Sequence, residues 1–186
     1  MKLFIKYMVS LRCKMAVKNE LKKLGLHYSQ VDLGEAEIME DITEEQREKI
    51  KKDLHCLGLE LLDDKRAILI EKIKSTIVEM IHYADEPPKV NFSDYLSEKL
   101  SYDYTYLANI FSEVTGTTIA QYIIAHKIEK VKELLLYNEL SLTEISYKLN
   151  YSSVAHLSRQ FKKVTGLTPT FFRQLRTKRR MGLDKV

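Results

Sequence analysis

The pattern of hydrophobic and polar positions divides the first 64 residues into alternating strands and helices. Residues 2–9 are apolar enough for a strand, and residues 15–24 have one apolar helical face that ends at Gly25. Residues 27–39 hold one or two strands with a bend at Gly34. Thr43 and Gln46 form a capping box for a helix to about residue 57, and residues 59–62 suit a last strand. This order predicts a small ferredoxin-like α/β sandwich.

From residue 65 onward the hydrophobic positions recur only at helical spacing. Isoleucines in residues 65–83 predict one helix, after which Pro87 and Pro88 force an extended link. A longer helix, residues 119–137, carries apolar side chains on two sides. The fold class is therefore predicted to be α+β. A ferredoxin-like domain of residues 1–64 precedes an all-α domain of residues 65–186.

A repeat of about fifty residues runs through the all-α half. Residues 96–102 match residues 145–151 at an offset of 49 positions. Leu107 and Phe111 then match Leu157 and Phe161 at an offset of 50, and Val-Thr-Gly follows in both copies. A turn between two helices can absorb the slip of one residue. The chain is therefore predicted to contain two copies of one helix-turn-helix, with Phe111 and Phe161 as equivalent core residues.

The second copy shows its helix boundaries in detail. Ser141 and Glu144 form a capping box, residues 150–153 suit a turn that ends in a new N-cap, and Gly166 suits a C-cap. Pro169 then opens another helix. The predicted buried stripe of the middle helix is Val154, Leu157, Phe161 and Val164. Its outer face is small, polar and basic, which is typical of a helix that lies in the DNA major groove.

Residues 141–173 also resemble the signature of AraC-type transcription regulators. The resemblance rests on LTEIS at residues 142–146 and HLSRQFKKVTGLTPTFFR at residues 156–173. The sequence departs from that pattern at Asn150, where the family has glycine, and at Ser146, where it has alanine. Asparagine tolerates the left-handed backbone of such a turn. The resemblance covers about residues 65–180 and implies two reading helices joined by a long helix.

The length of the connecting helix fits this arrangement. About twenty residues at 1.5 Å each span roughly 30 Å, close to the roughly 34 Å of one turn of B-DNA. The predicted function is therefore sequence-specific regulation of transcription, with the two reading helices in successive major grooves of promoter DNA. RNA polymerase is the second expected partner, and a homodimer through residues 1–64 is the third.

The outward positions of the two reading helices give the candidate contacts. Arginine suits guanine and asparagine suits adenine, each through two hydrogen bonds. The residues predicted to contact bases are Thr105, Tyr106, Asn109, Ala155, His156 and Arg159. Those predicted to contact phosphate are Lys148, Ser153, Lys162, Lys163 and Arg173. The alternative for any single base-contact residue is a contact to phosphate or water.

Charge is distributed unevenly behind a formal net value of +4. Residues 145–186 carry ten Lys and Arg against one acidic residue, a net +9. Residues 1–64 carry a net −2 and residues 65–144 a net −3. A basic segment of this kind points to a polyanion as partner. The acidic surroundings of the first reading helix imply that the second copy supplies most of the binding energy.

Other classes of function find little in the sequence. Residues 24–38 weakly resemble part of a heavy-metal-associated domain. Such domains bind metal through two cysteines in a CxxC motif, but here Ser10 occupies the position of the first cysteine and only Cys13 is present. Cys13 and Cys56 are expected to be buried thiols in a reduced, cytoplasmic protein. A metal-responsive or protein-interaction regulator, driven by residues 1–64, is the alternative. No enzyme, catalytic residue, metal or cofactor is predicted, because no phosphate loop, HExxH or catalytic triad is present. No membrane association is predicted, because no apolar run approaches the roughly 20 residues that span a bilayer.

Overall fold

The structure is a computed structural model that describes residues 1–84, 91–137 and 139–181, with the backbone alone for residues 176–181. The chain divides into two compact units. The first comprises residues 1–79 and 92–116, and the second holds the described residues of 80–91 and 117–186. The link predicted at Pro87 and Pro88 lies outside the described residues, as do the side chains of the basic residues 176–180.

The first unit begins with four strands and two helices. In chain order these are β1 (Lys2–Lys6), α1 (Leu11–Lys23), β2 (Tyr28–Asp32), β3 (Glu35–Ile38), α2 (Glu44–Cys56) and β4 (Glu60–Leu62). The strands form one antiparallel sheet in the order β2-β3-β1-β4. This topology confirms the ferredoxin-like sandwich and the α+β class. Thr43 and Gln46 form the predicted capping box at the start of α2.

Two predicted boundaries and one predicted burial state in this part are wrong. Strand β1 ends three residues early because Tyr7 has a left-handed backbone, with φ of 71°, and its N–H donates to the Glu71 carboxylate at 3.1 Å. Helix α1 begins at Leu11 rather than at residue 15, because no side chain of its first turn is fully buried and the apolar face of the helix starts only later, at Val17. Cys56 is exposed in the last turn of α2, whereas Cys13 is partly buried.

Helix α3 (Lys65–Val78) belongs to the same compact unit as the sheet. The Asp64 carboxylate accepts the Ala67 N–H at 2.8 Å and caps its start. α3 packs on β1, where the Lys72 ammonium lies 4.7 Å from the centre of the Phe4 ring. Two further helices, α4 (Phe92–Leu100) and α5 (Tyr104–Thr115), pack on α3 and complete the unit. The domain boundary between residues 64 and 65 stays a prediction.

The second unit is helical. A π-helical turn, Glu79–Tyr83, follows α3 in the chain; Glu79 belongs to the first unit and the rest of the turn to the second. The α-helices described in this unit are α6 (Ile119–Tyr137), α7 (Leu142–Lys148), α8 (Val154–Thr165) and α9 (Pro169–Met181). The last three helices each contact α6, around a core that includes Ile128, Leu157 and Phe161. The long helix predicted over residues 119–137 is confirmed.

A pair of histidines joins the π-helical turn to α6 inside the second unit. His82 Nε2 and His126 Nδ1 lie 3.2 Å apart, and the His126 ring packs on Tyr122 with centroids 4.5 Å apart. Burial lowers the pKa of both imidazoles, and the neighbouring His126 lowers that of His82 further. The folded unit therefore favours neutral rings, while the unfolded chain takes up protons near the ordinary value of 6.5.

We expect the free energy of unfolding to fall as the pH drops below 6.5, because only the unfolded state then binds these protons readily. The loss is complete once the pH passes below the lowered pKa of the folded state. Urea unfolding at pH about 7.5 and about 5 measures the loss. The double variant His82→Gln/His126→Gln should lose less than the natural chain, whereas His55→Gln, at an exposed position, should lose as much. An equal loss in all three would contradict this origin.

None of the helices in residues 1–84, 91–137 and 139–181 combines the length and the hydropathy that a membrane span requires.

Candidate nucleic-acid interface

Helices α5 and α8 are built in the same way, fifty residues apart. An N-cap side chain opens each helix: the Asp103 carboxylate accepts the Thr105 N–H at 2.8 Å, and the Ser153 hydroxyl accepts the His156 N–H at 3.1 Å. A left-handed glycine ends each helix, Gly116 with φ of 70° and Gly166 with φ of 77°. The local sequence thus fixes the start and end of both reading helices.

The turn before each reading helix is also repeated. Ser101 and Asn150 both have a left-handed backbone, with φ of 59° and 52°. This conformation confirms the prediction that Asn150 takes the place of the glycine usual at this turn. The two residues are 49 positions apart, whereas the helices that follow are 50 apart. The slip of one residue therefore lies in the turn, as the repeat predicted.

The outer face of α8 presents one continuous stripe of exposed and partly exposed side chains. The predicted contacts are Ala155, His156, Arg159, Lys162 and Lys163. They follow one another at helical spacing, and all are exposed except His156, which is partly buried. Lys162 and Lys163 lie in the last turn. The stripe therefore places three cations, Arg159, Lys162 and Lys163, on a solvent-exposed face of α8 that DNA could reach.

His156 is held in a defined orientation within this stripe. Its Nδ1 lies 3.0 Å from the Ser152 hydroxyl, and its ring meets the Tyr151 ring edge to face with centroids 5.4 Å apart. The Tyr151 hydroxyl donates in turn to the Gln160 side chain at 2.8 Å. A ring fixed in this way presents its second nitrogen in one direction, as a specific contact requires.

The outer face of α5 is aromatic and polar rather than basic. Thr105, Tyr106 and Asn109 are exposed at the positions equivalent to Ala155, His156 and Arg159. Ser112 and Glu113 stand where the second copy has two lysines, and Glu113 pairs with Arg66 at 3.3 Å. The structure thus brings the three first-copy candidates onto one helix face, as predicted.

Comparison with known proteins identifies the class of this double motif. A family model described as a helix-turn-helix domain matches residues 96–175, which span both copies. The uncharacterized HTH-type transcriptional regulator YtdP of Bacillus subtilis (strain 168) is 28% identical over 104 residues, 56% of this chain. The Tn10 transposon protein TetD of Escherichia coli is 27% identical over 130 residues, 70% of this chain and 91% of its own length.

Residues 96–175 form an AraC-type helix-turn-helix domain. The C-terminal domain of AraT, a response regulator from Geobacillus stearothermophilus, shares its fold. The TM-score is 0.51, with 22% identity over 60% of this chain and 88% of that one. This chain covers only 13% of the length of YtdP. What such larger proteins do as a whole is therefore not carried over.

The predicted phosphate contacts of the AraC-type domain fall into two groups. Lys148, Lys162 and Lys163 are exposed. Ser153 and Arg173 have roles within the fold, since Ser153 caps α8 and an Arg173 Nη2–H donates to the Leu140 carbonyl at 2.9 Å. That hydrogen bond ties α9 to the chain before α7. Arg173 therefore holds α9 against the chain before α7, and its contact with phosphate stays a prediction.

The predicted buried stripe of α8 needs one correction. Leu157 and Phe161 are fully buried and Val154 is partly buried, but Val164 is 50% exposed. Val114, its equivalent in α5, is 50% exposed as well. The reason is that both valines lie in the last turn, next to the helix end. There the threonine that follows turns inward and donates to the carbonyl four residues back, at 2.7 Å in α5 and 2.8 Å in α8.

Sequence reasoning missed Tyr102 as part of the first reading surface. Tyr102 and Tyr106 stack with centroids 5.5 Å apart and planes 24° apart, and about half of each side chain is exposed. Tyr151, which matches Tyr102 in the repeat, is buried instead. The sequence signal for this difference is the turn before α5, which is one residue shorter than the turn before α8 when both are counted from the left-handed residue. One residue fewer changes the direction of the tyrosine side chain.

One basic residue, Lys127, is largely buried beside a tyrosine. Burial lowers the pKa of Lys127 to about 8, and its ammonium lies 5.0 Å from the centre of the Tyr151 ring. Burial also raises the pKa of Tyr151 to about 12. Lys127 therefore supports the core beneath α8 rather than the exposed stripe.

Among the residues that the structure describes, no three His, Cys, Asp or Glu side chains gather as a metal site requires.

Proposed function

We propose that this chain is a sequence-specific DNA-binding transcription regulator. The observation that carries the proposal is the duplicated reading helix, with equivalent caps and a solvent-exposed polar face in each copy. A helix of this kind enters the major groove and reads base edges. The match of residues 96–175 to a helix-turn-helix family, with transcription regulators among the relatives, supports it.

The two helices read different chemistry in this proposal. Arg159 contacts guanine and Asn109 contacts adenine, with Thr105, Tyr106, Ala155 and His156 beside them. Lys148, Ser153, Lys162, Lys163 and Arg173 hold phosphates and set the register. Helix α6 has 19 residues, which span roughly 28 Å at 1.5 Å per residue. That length suits two helices in successive major grooves.

The acidic residues near α5 disfavour DNA less than their formal charges imply. Asp103 accepts two backbone N–H groups at the start of α5, where the helix dipole is positive. Glu113 pairs with Arg66. Asp94 and Glu98 remain as negative charges on α4. Because these two charges remain and α5 carries no lysine or arginine, we propose that the second copy supplies most of the affinity, while the first adds sequence preference.

The expected test of phosphate contact is the salt dependence of binding. Lys162→Ala should reduce the slope of log Kobs against log salt concentration by about one, because one fewer counterion is released. Fluorescence anisotropy with a random-sequence duplex at several salt concentrations measures the slope. Lys52→Ala, an exposed lysine on α2, should leave it unchanged. An unchanged slope in Lys162→Ala would show that this lysine does not touch DNA.

We further propose RNA polymerase as a partner and an action in the cytoplasm, where promoter DNA is found in bacteria. No enzymatic activity is assigned.

A homodimer through residues 1–64 has one supporting observation: Tyr7, Val9, Leu11 and Met15 lie exposed around the start of α1. Sedimentation of the chain at rising concentration tests the dimer, and a constant monomer mass would reject it.

A further inference from the structure

The first compact unit contains a polar cavity of about 450 Å³. The turn between β2 and β3, the second half of α3 and the last turn of α4 form its walls. Its volume lies within the range of small-molecule sites, but its lining is polar, whereas most such sites are apolar. A cavity with this lining favours a small ionic ligand over an apolar one.

The walls of the cavity are held in place without a ligand. Gly34 lies in the hairpin turn with φ of 85°, and a Cβ atom there would overlap the Ser75 hydroxyl. Ser75 is buried and donates to the Glu71 carbonyl at 2.7 Å. The hairpin therefore packs directly on α3, and the cavity beside this contact is preformed. Binding would then require little reorganisation.

Three charged groups of the lining have no ionic partner among the described residues. The three other charged groups of the lining are paired, Lys2 with Glu35 and Asp32 with Lys14, each at 3.1 Å. Lys72, Lys99 and Glu79 remain, and the Lys72 ammonium lies over the face of the Phe4 ring. Burial raises the pKa of the Glu79 carboxyl, although the nearby charges of Lys14 and Lys99 oppose the rise. The remaining set is two cations and one anion.

We propose that this cavity binds a free amino acid with an acidic side chain, its ammonium at Glu79 and its two carboxylates at Lys72 and Lys99. Such a ligand carries one positive and two negative charges, the complement of the three groups. Its ammonium would supply the partner that the half-buried Glu79 lacks. Charge-assisted hydrogen bonds to both carboxylates would fix its orientation. This site goes beyond the DNA-binding function proposed above.

The position of Lys99 gives the site a second consequence. Lys99 lies in the last turn of α4, and only residues 101–103 separate that helix from α5. A ligand that contacts Lys99 acts on the helix that precedes the first reading helix. If the amino acid binds the free protein and the DNA-bound protein with different affinities, it changes the affinity of the protein for its DNA site by the same factor. This consequence alone rests on the proposed function.

Isothermal titration calorimetry of the full chain without DNA tests the site. L-glutamate or L-aspartate should bind with Kd below about 1 mM. Glutarate keeps both carboxylates and lacks the ammonium, so it should bind at least about tenfold more weakly. Because no DNA is present, failure of the DNA-binding proposal would not affect the result. Absence of heat with both amino acids at about 10 mM, or equal binding of glutarate, would overturn the proposal.

Two variants locate the site. Glu79→Gln keeps the side-chain shape and removes the anion, and Lys99→Ala removes an exposed cation. Each should weaken amino-acid binding at least about tenfold, while Lys52→Ala should leave it unchanged. Circular dichroism verifies that each variant is folded, and the comparison with glutarate needs no variant. Binding that Glu79→Gln and Lys99→Ala leave unchanged would place the ligand elsewhere and overturn the proposal.

Discussion

Replacing Phe161 with alanine should lower the free energy of unfolding of the second compact unit by about 3–5 kcal/mol. The Phe161 side chain is fully buried and packs edge to face on Phe172, with ring centroids 5.5 Å apart. Its removal leaves a cavity at the point where α8 and α9 meet the core of α6. Urea unfolding followed by circular dichroism measures the loss, as a shift in the transition of this unit.

Val164→Ala is the matched control on the same helix. Because half of Val164 is exposed, its truncation should change the free energy of unfolding by less than about 0.5 kcal/mol. The pair also tests whether Phe161 belongs to the buried stripe of α8 and Val164 lies outside it. A loss at Val164 comparable with that at Phe161 would mean that the last turn of α8 is covered in solution.

Arg159→Ala should weaken binding to the preferred DNA site by about 1–3 kcal/mol, roughly 5- to 150-fold, and relax the preference at one base position. The physical reason is that a guanidinium on the exposed face of α8 can donate two parallel hydrogen bonds to guanine. Competition binding between the preferred duplex and single-base variants measures both effects. The loss on random-sequence DNA should be smaller, since one cation contributes there without a base contact.

Arg159→Lys separates base contact from phosphate contact. Lysine keeps the charge but lacks the planar fork, so it restores a phosphate contact and not the full guanine contact. We expect the lysine variant to bind random-sequence DNA like the natural chain and to discriminate less at one position. Full discrimination in Arg159→Lys would assign Arg159 to phosphate.

Much of the fold was predictable because local chemistry and hydrophobic period agreed. The capping boxes at Thr43 and Ser141 placed α2 and α7, and Gly166 and Pro169 placed the end of α8 and the start of α9. The repeat predicted two copies of one motif, and the equivalent left-handed turns at Ser101 and Asn150 bear this out. Signals of this kind act within a few residues, so they can be read without tertiary contacts.

The remaining features depend on contacts between distant residues. The early end of β1 follows from a hydrogen bond between Tyr7 and Glu71, 64 positions apart. The role of Arg173 follows from a bond to a carbonyl 33 positions earlier. Two exceptions are local but lie outside what periodicity encodes: Val164 is exposed because it lies in the last turn of α8, and Tyr102 because the turn before α5 is short. The candidate contacts on α8 were predictable because one buried stripe defines the opposite face.

In vitro selection of binding sites from random duplex DNA by the full chain tests the central claim most directly. Two reading helices predict one enriched site with two base-specific segments, their centres about 10 base pairs apart. Asn109→Ala should relax the preference at one position of one segment, and Arg159→Ala at one position of the other. No enrichment, or a single segment that neither substitution alters, would contradict the account.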